Sequence, residues 1–360
     1  MTASRGSAPS TVHPSPLALD TLDMWSATAG LPEQVEAAVS AVRGLTDLPG
    51  HERVENVVVL GMGGSGIAGD VLVAAAAPFM PVPVTVVKGY EPPDFVGPGS
   101  LVFAVSFSGD TEETVEAAAG AYEAGASLVV VAGGGTLVSL AGEWDVPVVP
   151  VPAGIPQPRA ALGALAIPPL MLLEEIGLFP GASQWVDQAV DQLRARRDEL
   201  VRPGSRAEDL ARRIGRTIPL VHSSGALGAA AALRWKAQIN ENAKCPAFFN
   251  VYPELCHNEL AGWGQNGDAT RQLITLVNLR HDAEHPQVSR RFDLVADVLR
   301  EVVADIVEVR AAGEGDLAQL LDLALIGDFV SLHLAGQEGI DPGPIPVLDE
   351  LKQRLTPGAP

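Results

Sequence analysis

Residues 56–77 read NVVVLGMGGSGIAGDVLVAAAA: a run of valine and leucine, a turn of glycines around one serine, then an apolar stretch. A continuous branched apolar run bounded by glycine predicts a strand buried on both faces, the kind found in parallel sheets. The glycine turn then opens a helix at the strand's carboxyl end, where open α/β sheets bind ligands. The same rhythm continues through VPVTVVKG, LVFAVSFSG, TEETVEAAAGAYEAG, SLVVVAGG and VPVVPVP. The pattern predicts a doubly wound α/β domain.

A Pro-rich break at Val151–Pro158 is followed by an apolar helical stretch, Ala160–Ile176, which holds its pattern despite Pro168 and Pro169. A polar amphipathic helix, Ser183–Leu200, completes a connector. Beyond Pro203 the rhythm restarts with TIPLVHSSG, a helix through ALGAAAALRWKAQINENAK, the strand RQLITLVNLR, a helix over Gln287–Val303, the strand ADIVEVRA and a long helix over Asp316–Gly336. This reads as a second, degenerate copy of one plan, closed by an amphipathic helix at Val347–Leu355. The expected division is a disordered segment at 1–17, a phosphate-binding domain at 18–155, a helical connector at 156–203 and a second domain at 204–360. Both domains are α/β, with mainly parallel central sheets flanked by helices.

At 360 residues the chain suits two domains of ordinary size. Its formal charge of -20 would repel nucleic acid and anionic membranes, which leaves small molecules or other subunits as partners. An anionic substrate stays permitted, because helix N-termini and a few placed cations set local affinity. The two cysteines, Cys245 and Cys256, fit neither a zinc spacing nor a disulfide framework and suit a reducing compartment. The first thirty residues carry no apolar targeting core and no later run offers eighteen uninterrupted apolar residues, so a cytoplasmic protein without a membrane span is expected.

Two loops carry phosphate chemistry. GMGGSG, Gly61–Gly66, lets the backbone approach an anion closely, with Ser65 beside the helix dipole. SFSGDT, Ser106–Thr111, offers the hydroxyls of Ser106, Ser108 and Thr111 to the same anion. Gly61, Gly63 and Gly66 also fit the GxGxxG dinucleotide fingerprint. That reading, an NAD(P)-binding oxidoreductase, needs an acidic residue after the second strand, where VTVVKGY places Lys88, and it leaves the hydroxyl-rich loop unused. In the second half, ALRWKAQINENAKCPAFFNVYPELCHNELAGW clusters Glu241, Glu254, His257 and Glu259 among aromatics and amides.

GMGGSG, SFSGDTEET, QPRAA, NENAK, PELCHNE and a lysine near the C-terminus occur here in the order in which they occur in the bifunctional phosphoglucose/phosphomannose isomerases, which this chain resembles from about Ala18 to Leu355. The resemblance implies two sugar-isomerase (SIS) domains and interconversion of glucose 6-phosphate, and mannose 6-phosphate, with fructose 6-phosphate through a cis-enediolate, without a cofactor or metal. Carried over, it implies phosphate binding by Gly63, Gly64, Ser65, Ser106, Ser108 and Thr111, with Glu241 as the base between C2 and C1. It further implies ring opening by His257 and Lys352 and enediolate stabilisation by Arg159. His257 would come from the neighbouring subunit of a homodimer.

The chemistry agrees with these roles on its own terms. Proton exchange between adjacent carbons needs one carboxylate, ring opening needs a group titrating near neutrality, and the enediolate needs a charge that arginine does not lose. The alternatives are that Glu241 and Lys244 form an ordinary exposed helix pair, that His257 is a structural histidine or a zinc ligand with Cys256, and that Lys352 is a solvated lysine on an amphipathic helix. A non-catalytic sugar-phosphate-binding regulator would need the loops but not Glu241 and His257. Two features depart from the family pattern: Phe107 and Asp110 replace a tyrosine and an asparagine, and the tail DPGPIP lacks a threonine expected near the sugar.

Overall fold

Why the valine runs form strands is plain from their burial. The computed structural model describes residues 15–355 except Asp47, and places β1 (Asn56–Leu60), β3 (Ser100–Ser106) and β4 (Ser127–Ala132) at the centre of a parallel sheet, flanked by β2 (Val84–Val87) and β5 (Val148–Pro150). The order is β2-β1-β3-β4-β5, and every position of β3 is buried. β2 is only half-buried because it forms the sheet's edge, although its sequence reads like the others. The expected disorder at 1–17 falls, as far as residue 14, outside the described residues.

The second sheet is also parallel: β6 (Ile218–Ser224), β7 (Phe248–Tyr252), β8 (Ile274–Arg280) and β9 (Asp305–Arg310) run in the order β7-β6-β8-β9. With β7 standing for β2 and β6 for β1, this is the order of the first sheet without its fifth strand, so the expected second copy of the plan is present. β7 escaped sequence reading because it is an edge strand with Phe248 and Phe249 exposed, which leaves no buried run to see. Helices Met24–Ala29, Leu31–Ala41 and Gly135–Trp144 were likewise not anticipated.

Helix Leu162–Ile176 keeps Pro168 and Pro169 inside it, and is buried on nearly every side against helices Leu31–Ala41 and Gly63–Ala75. A helix apolar all round belongs in an interior, and that burial outweighs the hydrogen bonds its prolines remove. Helix Asp316–Gln337 plays the same part in the second half. It is long and apolar enough to cross a membrane, but 94% of its apolar window is buried inside the protein, against helices Ala182–Leu200 and Gly225–Asn242. One continuous core includes residues of both sheets, such as Val57, Val105, Val221 and Val277, and so joins the two halves.

Candidate active site

The crevice of the first sheet lies where the connections leave in opposite directions, between the carboxyl ends of β1 and β3. Both glycine and hydroxyl loops are there. Ser65 Oγ accepts a hydrogen bond from the Phe107 N–H at 3.0 Å, which ties one loop to the other. Ser106 Oγ lies 3.0 Å from Thr111 Oγ1 and accepts from the Gly109 N–H at 3.0 Å. Ser65 and Ser106 are buried, whereas Gly63 and Ser108 are exposed and Gly64 and Thr111 half-exposed, so the cup's outer face is made of main chain and of the hydroxyls of Ser108 and Thr111. Helices Gly63–Ala75 and Glu112–Glu123 begin at these loops with no side-chain cap on their first N–H groups, the arrangement that favours an anion there.

Gly64 is where the QPRAA segment meets the first loop. A Cβ at that position would lie 2.9 Å from both Arg159 N and Pro158 C, so only glycine lets the QPRAA segment pass against the helix start. Arg159 follows in a short 3-10 turn, and its side chain is 3% exposed. Nε donates to Asn242 Oδ1 at 2.7 Å, Nη2 donates to the carbonyls of Pro342 and Gly343 at 2.6 Å each, and Nη1 faces Gln157 at 3.4 Å and Glu241 Oε2 at 3.5 Å. Burial pulls the Arg159 pKa down and the Glu241 carboxylate opposes that, yet a guanidinium keeps its proton near neutrality. The Arg159 carbonyl is gripped in turn by Arg234 Nη2 at 3.0 Å, and Arg234 pairs with Asp328 at 2.6 Å on the central helix.

Glu241 sits at the carboxyl end of helix Gly225–Asn242, its side chain 29% exposed. It lines a cavity of about 320 Å³ together with Gly63, Gly64, Lys88, Arg159, Lys236 and Leu348. The chain therefore brings together four of the expected residues: Gly63, Gly64, Arg159 and Glu241. His257 is exposed in a 3-10 turn after β7 and does not line this cavity. Lys352 is exposed on helix Pro346–Leu355, one turn beyond Leu348, and is not among the lining residues.

Sequence reading missed the partners that orient Arg159 and Glu241. Asn242 and Lys244 are in the quoted NENAK motif, but only Glu241 was given a task. Lys244 takes a left-handed conformation, φ 53°, directly after the helix, where glycine is usual. Its Nζ donates to the Glu241 carbonyl at 2.7 Å and the Pro342 carbonyl at 3.3 Å. Burial, with Arg159 nearby, pushes the Lys244 ammonium down to about 8.

Comparison with known proteins decides the family. The bifunctional phosphoglucose/phosphomannose isomerase of Caldicellulosiruptor bescii is 33% identical over 337 residues, covering 92% of this chain and 99% of that protein. The chain belongs to the bifunctional phosphoglucose/phosphomannose isomerase family. The Aquifex aeolicus member is 34% identical over 308 residues, covering 84% of this chain and 90% of that one. Residues 204–355 match the bacterial phospho-glucose isomerase C-terminal SIS domain. The fold is also that of the C-terminal domain of glucosamine-fructose-6-phosphate aminotransferase from Francisella tularensis, with a TM-score of 0.67 at 17% identity over 89% of this chain and 97% of that one.

Within the family pattern, Asp110 has turned away from the cup. Its Oδ1 accepts from Thr136 N at 2.8 Å and Thr136 Oγ1 at 2.9 Å, so it caps the neighbouring helix Gly135–Trp144 and not the helix it precedes. The DPGPIP tail supplies backbone to the site: besides the carbonyls that hold Arg159, Asp341 accepts from Thr21 Oγ1 at 2.6 Å and from Gly343 N at 3.0 Å. Burial pushes the Asp341 carboxyl up, but hydrogen bonds from Thr21 and Gly343 hold it below the usual range.

Proposed function

We propose that this protein is an aldose-ketose isomerase that interconverts glucose 6-phosphate, and mannose 6-phosphate, with fructose 6-phosphate. The observation that carries the reading is Glu241, a carboxylate in the same cavity as the uncapped helix start at Gly63 and Gly64, with a buried guanidinium 3.5 Å away. The phosphate sits in the cup of Gly63, Gly64, Ser65, Ser106, Ser108 and Thr111. Glu241 takes the proton from C2 of the open-chain sugar and returns it to C1, and Arg159 Nη1 faces the enediolate oxygens that become negative in between. Rotation about C2–C3 of the intermediate lets the proton return to either face, which joins the glucose and mannose reactions at one site.

His257 and Lys352 open the sugar ring in this reading. Because His257 lies away from its own chain's cavity, it serves the site of a second copy, and the active form is a homodimer. Two free cysteines and a sugar-phosphate substrate support a reading of the enzyme as cytoplasmic, acting in glycolysis and gluconeogenesis. The division into a phosphate-binding half at 18–155, a connector at 156–203 and a catalytic half at 204–360 is supported by the family match over 204–355.

The test is incubation of the EDTA-treated protein with fructose 6-phosphate, following glucose 6-phosphate and mannose 6-phosphate separately. Both products are expected, and Glu241→Gln lowers kcat by about 10³-fold, the scale of a lost general base, while fructose 6-phosphate still binds. Turnover retained in Glu241→Gln overturns the assignment. Binding without turnover in the wild-type chain turns the reading to a sugar-phosphate sensor.

A further inference from the structure

The PELCHNE segment carries two carboxylates to which the isomerase reading gives no task. It leaves the carboxyl end of β7 as two short turns, Glu254–His257 and Glu259–Gly262. The turns are braced in series: Glu254 Oε1 accepts from Asn258 Nδ2 at 2.8 Å, and Asn258 Oδ1 accepts from the Glu259 N–H at 2.6 Å. Glu259 then reaches inward. Its Oε1 is 2.8 Å from Nε2 of His222, which is fully buried on the central strand β6, and its Oε2 accepts from Asn250 Nδ2 at 2.9 Å. His222 and Asn250 are directly opposite in the ladder, so one carboxylate bridges two strands.

We propose that Glu259, through His222 and Asn250, is a positioning residue that fixes the backbone carrying His257 and so aims that side chain at its substrate. The proposal rests on the isomerase reading and extends it to residues that do not touch the sugar. The row is a costly way to hold a loop. Asn278 pairs with His222 from the other side, and His222 Nδ1, Asn278 Oδ1 and the hydroxyl of neighbouring Tyr252 are buried without a hydrogen-bond partner among the described residues. Each such orphan destabilises the sheet, and apolar side chains would hold it at lower cost. What apolar packing cannot do is fix one loop conformation two residues from a group that must meet its target within a fraction of an ångström.

The experiment compares Glu259→Gln, His257→Asn and the double variant for kcat and KM with fructose 6-phosphate, alongside hydrogen–deuterium exchange over residues 254–262. Glu259→Gln is expected to lower kcat by about tenfold to a hundredfold, the cost of a misplaced group, with KM within about threefold. In the His257→Asn background it lowers kcat by less than about twofold, because the group it aims is gone. Exchange over 254–262 rises in Glu259→Gln and not in His257→Asn. Full additivity, or unchanged exchange, overturns the proposal. Should the wild-type chain fail to isomerise fructose 6-phosphate, the isomerase reading and the aiming role fall together, and the exchange result alone still decides whether Glu259 fixes the loop.

Discussion

The two sheets share four strands in the same order, yet their crevices are built differently. In the first, the glycine and hydroxyl loops leave the crevice between β1 and β3 open to an anion, although the helices that follow β1 and β6 alike start without a side-chain cap. In the second, the equivalent place between β6 and β8 is filled by the protein itself. His281 Nε2 donates to the Ser224 carbonyl at 2.9 Å, and Gln319, from the first turn of the central helix, accepts from Asp282 N at 2.9 Å. The second copy works through the far end of its helix instead. Glu241 is sixteen residues after Gly225, about 24 Å along an α-helix, which carries it from the closed crevice of its own sheet to the open one of the other. Under the proposed function, a duplicated fold keeps one binding crevice and turns its twin into a mount for a catalytic group.

The strongest way to break this contrast is to place the same methyl group in each half. Gly64→Ala puts a Cβ 2.9 Å from the backbone on which Arg159 is mounted. A displacement of Arg159 and the cup by an ångström is expected to cost about a hundredfold in kcat/KM. Gly225 has a φ of +62° and open space around its absent Cβ. Gly225→Ala is expected to cost only about 1 kcal/mol of left-handed strain, seen as a Tm lower by a few degrees, with kcat/KM near wild type. Steady-state kinetics and thermal unfolding of the pair decide the matter, and equal kinetic losses would mean that both crevices bind substrate.

Sequence made the first half more legible than the second for the same reason that their uses differ. A ligand crevice of glycine and hydroxyl loops between uninterrupted valine runs leaves a local signature, so β1, β3, β4 and both loops could be read directly. β7 left none, because an edge strand with exposed Phe248 and Phe249 lacks a buried run. The helix that Asp110 caps left no local trace either, since Thr136 is 26 residues away. The hub around Arg159 was legible only as separate motifs. Asn242 belongs to a quoted motif, whereas the Pro342 and Gly343 carbonyls are main chain, to which any residue type would contribute alike.

A smaller effect sharpens the role of the helix end that carries Glu241. Lys244, held near pKa 8, is a cation below that pH and neutral above it. Since the substrate is an anion, KM for fructose 6-phosphate should rise as pH passes through about 8, while Lys244→Met should show a KM raised about two- to fivefold at pH 7, a modest field for a partly solvated charge. The variant should also lack the step near pH 8. A step that persists in Lys244→Met would assign it to another group and leave Lys244 as a helix cap alone.

The least effect is expected in the closed crevice. His281→Asn removes an imidazole that is 6% exposed and bonded only to Ser224, its other nitrogen being buried without a partner among the described residues. The loss should be structural, about 1–2 kcal/mol, as for one buried hydrogen bond. KM for fructose 6-phosphate should stay within about twofold of wild type, because among the described residues none at this end of β6 lines the cavity of Glu241, and solvent ions screen a charge over such a distance. A KM raised well beyond that would show that the second crevice communicates with the first through helix Gly225–Asn242, and the twin would then be a control element as well as a mount.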